Sequence, residues 1–201
     1  MISIILQAGG KSTRMGKDKA TIPFLGVPLI HRLRARFDGF GTELLVITND
    51  IRGYEKLGVP LFEDVIPKRG ALGGLYTALS IASQPLIGLI AADMPFANPN
   101  LIKYQLKIIQ ESAFDAVIPG TEQGIEPFHS VYRVETCLPL VKEAIENDLW
   151  KMKSWHDGAR IKILDPEVIR KITRADHTFL NLNTPEEFQA AEEIANNISD
   201  Y

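Results

Sequence analysis

The sequence predicts an α/β fold in three layers, with a mostly parallel sheet covered by helices on both faces. Two observations carry this. Short apolar runs rich in Ile, Leu and Val alternate along the chain with segments whose apolar residues recur at helical spacing. The runs are continuously apolar, as strands buried on both faces of a parallel sheet are.

The elements follow in order. Ile2 to Leu6 reads as a buried strand bounded by Gly9-Gly10. Pro28 to Phe37 reads as a helix, with Pro28 suited to a first helical position and Leu29, Ile30, Leu33 and Phe37 on one stripe. Leu44 to Thr48 is a second buried strand and Val59 to Phe62 a short third. "GALGGLYTALSIA" opens with glycines and continues as a helix, and Leu86 to Ala92 is a strand stopped by Asp93-Met94-Pro95. Pro99 to Ser112 and Glu135 to Asn147 are helical, while Ala116 to Pro119, His129 to Arg133 and Ile161 to Leu164 are strand-like. Pro185 to Ile198 closes the chain as a helix with Thr184 as N-cap. Strand and helix alternate less cleanly over residues 120 to 165, which read as a lobe added to the sheet core.

A chain of 201 residues with 45% hydrophobic and 23% charged residues suits one soluble domain, residues 1–201. The one cysteine, Cys137, excludes an internal disulfide and fits a reducing compartment; with no signal-peptide pattern, the expectation is a cytoplasmic protein. Cys137 itself reads as a small buried hydrophobe rather than a nucleophile. The longest apolar run, Pro85 to Ala92, is far shorter than the ~20 residues of a membrane span. A net charge of -3 without a sustained basic tract speaks against nucleic-acid binding.

Against that acidic balance, Lys11, Arg14, Lys17 and Lys19 follow Gly9-Gly10 directly after the first strand. Ligands of open α/β sheets bind at the carboxyl ends of the strands. Glycines there let backbone N–H groups approach phosphate, Arg14 can bind it bidentately, and Lys19 adds a point charge. At 4 Å a unit charge pair is worth roughly 4 kcal/mol at an effective dielectric of 20, before desolvation. The stretch therefore reads as a trap for a small polyanion, although it is neither the P-loop nor the dinucleotide pattern. Asp93 ends a buried apolar strand, where a carboxylate suits a hard cation better than a core; a turn aspartate before Pro95 is the plainer alternative.

"LQAGGKSTRMGKDKA", followed by "GVPLIHRL", resembles the signature of the nucleotidyltransferase superfamily, G-x-x-x-R-M-G-x-x-K, here Gly10, Arg14, Met15, Gly16 and Lys19. The Ala8-Gly9-Gly10 form with Asp18-Lys19 is similar to the molybdenum cofactor guanylyltransferase (MobA-like) family. The family usually has Ala where this chain has Gln7, whose side chain could touch the base. "LIAADMPF" resembles the family's C-D-x-P-[FY] segment, with Ala92 in place of the cysteine and Asp93 as ligand of the catalytic metal, Mg²⁺. "EDVIPKRGALGGLYTAL" is similar to its D…P-G-x-L-x-G segment, departing at Lys68-Arg69. "NLNTPEEF" is similar to its C-terminal N-x-N-T-P-E-[ED]-[LF], and the resemblance runs from Ile4 to Phe188.

The resemblance implies a Rossmann-like nucleotidyltransferase fold. It implies transfer of GMP from GTP to the terminal phosphate of molybdopterin or molybdenum cofactor, with release of pyrophosphate. Arg14, Lys19 and Asp93 would be catalytic. Leu6, Gln7, Ala8, Gly9, Gly10, Lys19, Asn49, Asp64 and Gly73 would bind nucleotide, although Asn49 reads equally as a turn residue. His129, Asn181 and Asn183 would face the acceptor; for His129 a role-free position at a loop-to-strand junction is the other reading. Two asparagines at alternate positions face one side, which a helix cap does not explain. Handover of product to a cofactor chaperone or apo-enzyme is compatible with this. The rivals are a CTP-dependent cofactor cytidylyltransferase or sugar-phosphate nucleotidyltransferase, and a nucleotide-binding regulator without activity. His31 reads as surface or packing, Trp150 and Trp155 as packing, and His156 and His177 lack partners at zinc-ligand spacing.

Overall fold

The computed structural model describes residues 1–8, 19–67, 69–149, 151–175 and 177–198. In chain order the elements are β1 (Ser3–Ala8), β2 (Pro23–Phe24), β3 (Val27–Pro28), α1 (Leu29–Arg36), β4 (Glu43–Thr48), α2 (Ile51–Tyr54), β5 (Leu61–Phe62), α3 (Gly70–Ile81), β6 (Leu86–Ala91), α4 (Pro99–Gln110), β7 (Ala116–Thr121), β8 (Gly124–Ile125), β9 (His129–Arg133), α5 (Val134–Glu146), β10 (Ile161–Leu164), α6 (Pro166–Thr173) and α7 (Pro185–Asn196).

The main sheet runs β10-β7-β9-β6-β1-β4-β5, with β8 paired to β7. β1 lies at its centre, parallel to β4 and to β6. β5 is parallel to β4, and β10 to β7. β9 alone on this path runs antiparallel to both its neighbours, β6 and β7. The mostly parallel three-layer prediction therefore agrees with the fold.

The period-2 geometry of β1 explains the layers. Ile4, Leu6 and Ala8 join Val46 and Ile90 in a core shared with Leu33, Ile102 and Ala191, from α1, α4 and α7. Ile5 points the other way and joins Ile47 and Leu89 in a core shared with Leu75 and Val141, from α3 and α5. Full burial of the Ile4, Ile5 and Leu6 side chains is worth roughly 1.5–3 kcal/mol each, so the central strand is fixed from both faces.

One expectation is corrected. Residues 120–165 are no added lobe: β9 and β10 extend the same sheet. The regular alternation is lost because the chain returns from β7 to β9 through the short strand β8, with no helix between them. The helix α6 was also not anticipated. Asp165 caps it by accepting from Glu167 N (2.7 Å), but only Ile169 and Thr173 of it are buried, so its apolar stripe is thin. Among the described residues, no helix is long and apolar enough to cross a membrane.

Candidate functional site

A cavity of about 500 Å³ opens at the carboxyl ends of β1 and β6. Gln7 and Ala8 form its floor from β1, and Ala91 to Met94 its edge after β6. Ala92 N donates to Gln7 O (2.9 Å), which carries the sheet bonding one residue past β6 before the chain turns at Asp93. The remaining wall is the start of α3 at Gly70, Ala71 and Gly74. A helix start offers unpaired N–H groups and partial positive charge to an anion.

Three predicted residues meet here. Lys19 stands in a short 3₁₀ turn, and its Nζ donates to Asn183 Oδ1 (2.6 Å) and lies 3.7 Å from Asp93 Oδ2. Their side chains keep partial access, 19% for Lys19 and 29% for Asp93. Leu182 N donates to Asp93 O (3.0 Å), so the backbone of Asp93 fixes the Asn181–Asn183 segment beside it. Leu182 is fully buried between two asparagines that both line the cavity, as the alternation predicted.

The start of α7 holds this segment from the other side. Thr184 Oγ1 accepts from Glu187 N (3.2 Å), and the Glu187 carboxylate accepts from Thr184 N (3.0 Å), a reciprocal capping box. The same carboxylate oxygen also accepts from Asn183 N. The Thr-Pro-Glu-Glu start therefore fixes the backbone of a cleft residue as well as capping a helix.

Other predicted residues lie elsewhere. Leu6, expected to meet the nucleotide through its backbone, has its side chain wholly buried in the sheet core. Asn49 and Asp64 bond each other (Asn49 Nδ2 to Asp64 Oδ2, 2.9 Å; Asp64 N to Asn49 Oδ1, 3.3 Å) at the ends of β4 and β5, outside the cavity lining. Asp64 Oδ1 is left buried without a partner. Gly73 is replaced by Gly74. A Cβ on Gly73 would meet Arg69 Cβ at 2.7 Å, away from the cleft, whereas one on Gly74 would come within 3.0 Å of the Gln7 amide. Gly74 thus lets Gln7 lie across the start of α3, with Gln7 Oε1 buried and unpartnered. Gly9, Gly10 and Arg14 lie outside the described residues, as does Trp150.

His129 is corrected as an acceptor-facing residue. It is fully buried, its Nε2 accepts from Asn98 N (2.9 Å) at the start of α4, and its ring meets Phe179 edge-on at 5.6 Å. Burial holds the imidazole neutral, with its pKa pushed down to about 4. The cleft instead receives Glu126 and Phe128 from the preceding loop, which the sequence reading missed. Glu126 stands in a polar loop beside Glu122 and Gln123, so nothing in the local pattern sets it apart. Cys137 agrees with its reading: it is buried, its Sγ contacts Asp115 O (3.2 Å), and burial pushes the thiol up to about 12.

Among the described residues no group of three or more His, Cys, Asp or Glu could hold a metal ion. Asp93 offers a hard oxygen donor that could hold a divalent cation only in company with ligand oxygens, the usual manner of Mg²⁺ with triphosphates.

A doubly covered sheet whose central strand ends in a cleft with a lysine, an aspartate and two asparagines is the arrangement of a nucleotidyltransferase. The family model for the MobA-like NTP transferase domain matches residues 4–159. A protein of Natronomonas pharaonis described as a probable molybdenum cofactor guanylyltransferase is 32% identical, over 94% of this chain and 96% of its own. One of Carboxydothermus hydrogenoformans with the same description is 26% identical, over 94% and 93%. The crystal structure of molybdopterin-guanine dinucleotide biosynthesis protein A from Archaeoglobus fulgidus superimposes with a TM-score of 0.84 at 24% identity, covering 98% of this chain and 100% of that one. This chain belongs to the MobA-like NTP transferase family.

Proposed function

We propose that this protein transfers GMP from GTP to the terminal phosphate of molybdopterin or molybdenum cofactor, forming the guanine dinucleotide cofactor and releasing pyrophosphate. The observation that carries the reading is the Lys19–Asp93–Asn183 cluster at the end of the central strands, in a chain 32% identical to a relative of that description.

The triphosphate lies over the β1 and β6 ends, with the start of α3 against it. Gln7 and Gly74 face the base, and Gly9 and Gly10 donate N–H groups to phosphate. Lys19 exchanges its contacts with Asn183 and Asp93 for phosphate oxygens, and Arg14 neutralises the leaving pyrophosphate. Asp93 would hold Mg²⁺, which would supply charge neutralisation on the triphosphate. Asn181 and Asn183 orient the acceptor phosphate for in-line attack on the α-phosphorus. This protein contributes position and charge, which are what phosphoryl-type transfers chiefly require. No covalent enzyme intermediate is involved, in keeping with a deeply buried, protonated Cys137.

The test is calorimetric titration with GTP, CTP, ATP and UTP, each with and without Mg²⁺, followed by pyrophosphate release on adding molybdopterin. Tightest binding of GTP in the presence of Mg²⁺, and release only with molybdopterin, are expected. Preference for CTP, or release with a sugar phosphate instead, would transfer the chain to another nucleotidyltransferase reaction; nucleotide binding without release under any acceptor would support a regulator.

A further inference from the structure

A second cavity, of about 580 Å³, lies between the β7–β8 turn, α6 and residues 175 and 177–180. Its walls are apolar at Ile169, Phe179 and Leu180, polar at Thr121 and Gln123, and charged at Glu122 and Arg170. Among the described residues, Glu126 is the one common to the linings of this cavity and of the nucleotide cleft. Its backbone is fixed: Glu126 N donates to Pro119 O (2.9 Å), and Glu126 O accepts from His129 N (3.2 Å) and Ser130 Oγ (2.6 Å). Its carboxylate is half-buried, and among the described residues no hydrogen bond or ion pair reaches it. Burial pushes its pKa up. A desolvated carboxylate without donors is costly, and one held rigidly in a cleft wall marks a place where a ligand supplies them.

We propose that the second cavity takes the fused-ring part of the acceptor and that Glu126 binds the ring's adjacent N–H donors. This rests on the acceptor being molybdopterin. The 2-amino-4-oxo edge of a pterin presents a ring N–H beside an exocyclic amine, two parallel donors that match the two oxygens of one carboxylate. The apolar walls cover the ring faces. From Glu126 the phosphate end of the acceptor passes into the cleft toward Lys19 and Asn183. Glu126 is thereby the residue that selects a pterin over acceptors without such a donor edge. Those are disfavoured, because they leave a half-buried carboxylate unpaired.

The experiment titrates the full chain with 6-hydroxymethylpterin, followed by its own fluorescence, and in parallel with MgGTP. Saturable pterin binding is expected in the wild type, not displaced by GTP. Glu126→Gln should weaken pterin at least about tenfold more than it weakens MgGTP, about 1.4 kcal/mol of selectivity. Gln123→Trp, at an exposed position lining only the second cavity, should abolish pterin binding and leave MgGTP binding intact. Three results overturn the inference: no pterin binding by the wild type, unchanged pterin affinity in Glu126→Gln, or displacement of pterin by GTP. Loss of Mn²⁺ affinity in Glu126→Gln with pterin unaffected would make the carboxylate a metal ligand instead. Failure of the wild type to bind GTP while it binds pterin would sink the proposed reaction and not this assignment.

Discussion

The two halves of the sheet present their chemistry differently. In the half built from β1, β4, β5 and β6, parallel strands end together; the cleft residues Gln7 and Ala8 are the last two of β1, and Asp93 follows β6 by two. In the half built from β7, β9 and β10, one strand is reversed, and Glu126 and Phe128 reach the cleft from a loop that enters that strand. Strand ends place a side chain by the backbone itself. Loops place it only when other groups clamp them, as Pro119 O, Ser130 Oγ and His129 N clamp Glu126. The first half suits the triphosphate, common to every reaction of this class, and the second suits the acceptor, which differs among them.

The largest expected effect breaks the first half. Asp93→Asn keeps size and hydrogen bonding but removes the charge that a divalent cation needs, and turnover should fall by about 10³-fold, on the order of 4 kcal/mol. Steady-state pyrophosphate release at saturating GTP measures this. A loss under tenfold would remove Asp93 from the metal. Next come Lys19→Ala and Arg14→Ala, each expected to lower turnover at least about tenfold, or ~1.4 kcal/mol. In Lys19→Ala the structure also predicts a freed Asn183 side chain, so kcat should suffer more than KM. Near-normal rates in both variants would mean that the opening loop is not a phosphate trap.

The same contrast decides what could be read from the sequence. β1, β4 and β6 were legible because strands buried on both faces are continuously apolar, Asp93 because it stands two residues past such a run, Lys19 as one of the cations gathered after β1, and Asn181 and Asn183 by their alternation. The choice of Gly73 over Gly74 failed for a geometric reason: one residue turns the helix by about 100°, so spacing alone does not say which glycine faces the cleft. His129 and Glu126 are three residues apart across a loop-to-strand junction, where no period assigns an inside and an outside. The histidine went under the β9–α4 contact and the glutamate into the cleft.

A smaller effect separates structure from chemistry in the second half. His129 has a folded pKa of about 4 against an ordinary value near 6.5. Between those values the unfolded chain binds the proton and the folded one does not, so stability present above pH 6.5 is lost as pH falls toward 4. The loss should amount to about 1.4 kcal/mol per pH unit at its steepest. Denaturant midpoints at pH 7.5 and 5.5 test it. His129→Gln, which keeps an acceptor for Asn98 N, should flatten the difference while leaving turnover at pH 7.5 within about twofold of the wild type, given 1.4 kcal/mol as the measure of tenfold. An unflattened profile would put the acid sensitivity elsewhere, and a large loss of turnover would return the imidazole to the acceptor side.

The smallest effect lies at the start of α7, whose capping carboxylate also holds a cleft residue. Thr184→Ala and Glu187→Ala each remove part of the same capping box and should each cost about 1 kcal/mol of stability. They differ in one contact: only the Glu187 carboxylate holds Asn183 N. If that contact positions the cleft, Glu187→Ala should lower kcat about fivefold, roughly 1 kcal/mol, while Thr184→Ala stays within twofold. Glu187→Gln, which retains an acceptor oxygen, should recover most of the loss. Equal turnover in Thr184→Ala and Glu187→Ala at matched stability would reduce Glu187 to a helix cap. Unequal turnover would make the cap the device by which a C-terminal helix holds a residue against the lysine of the first strand's loop, 164 positions away in sequence.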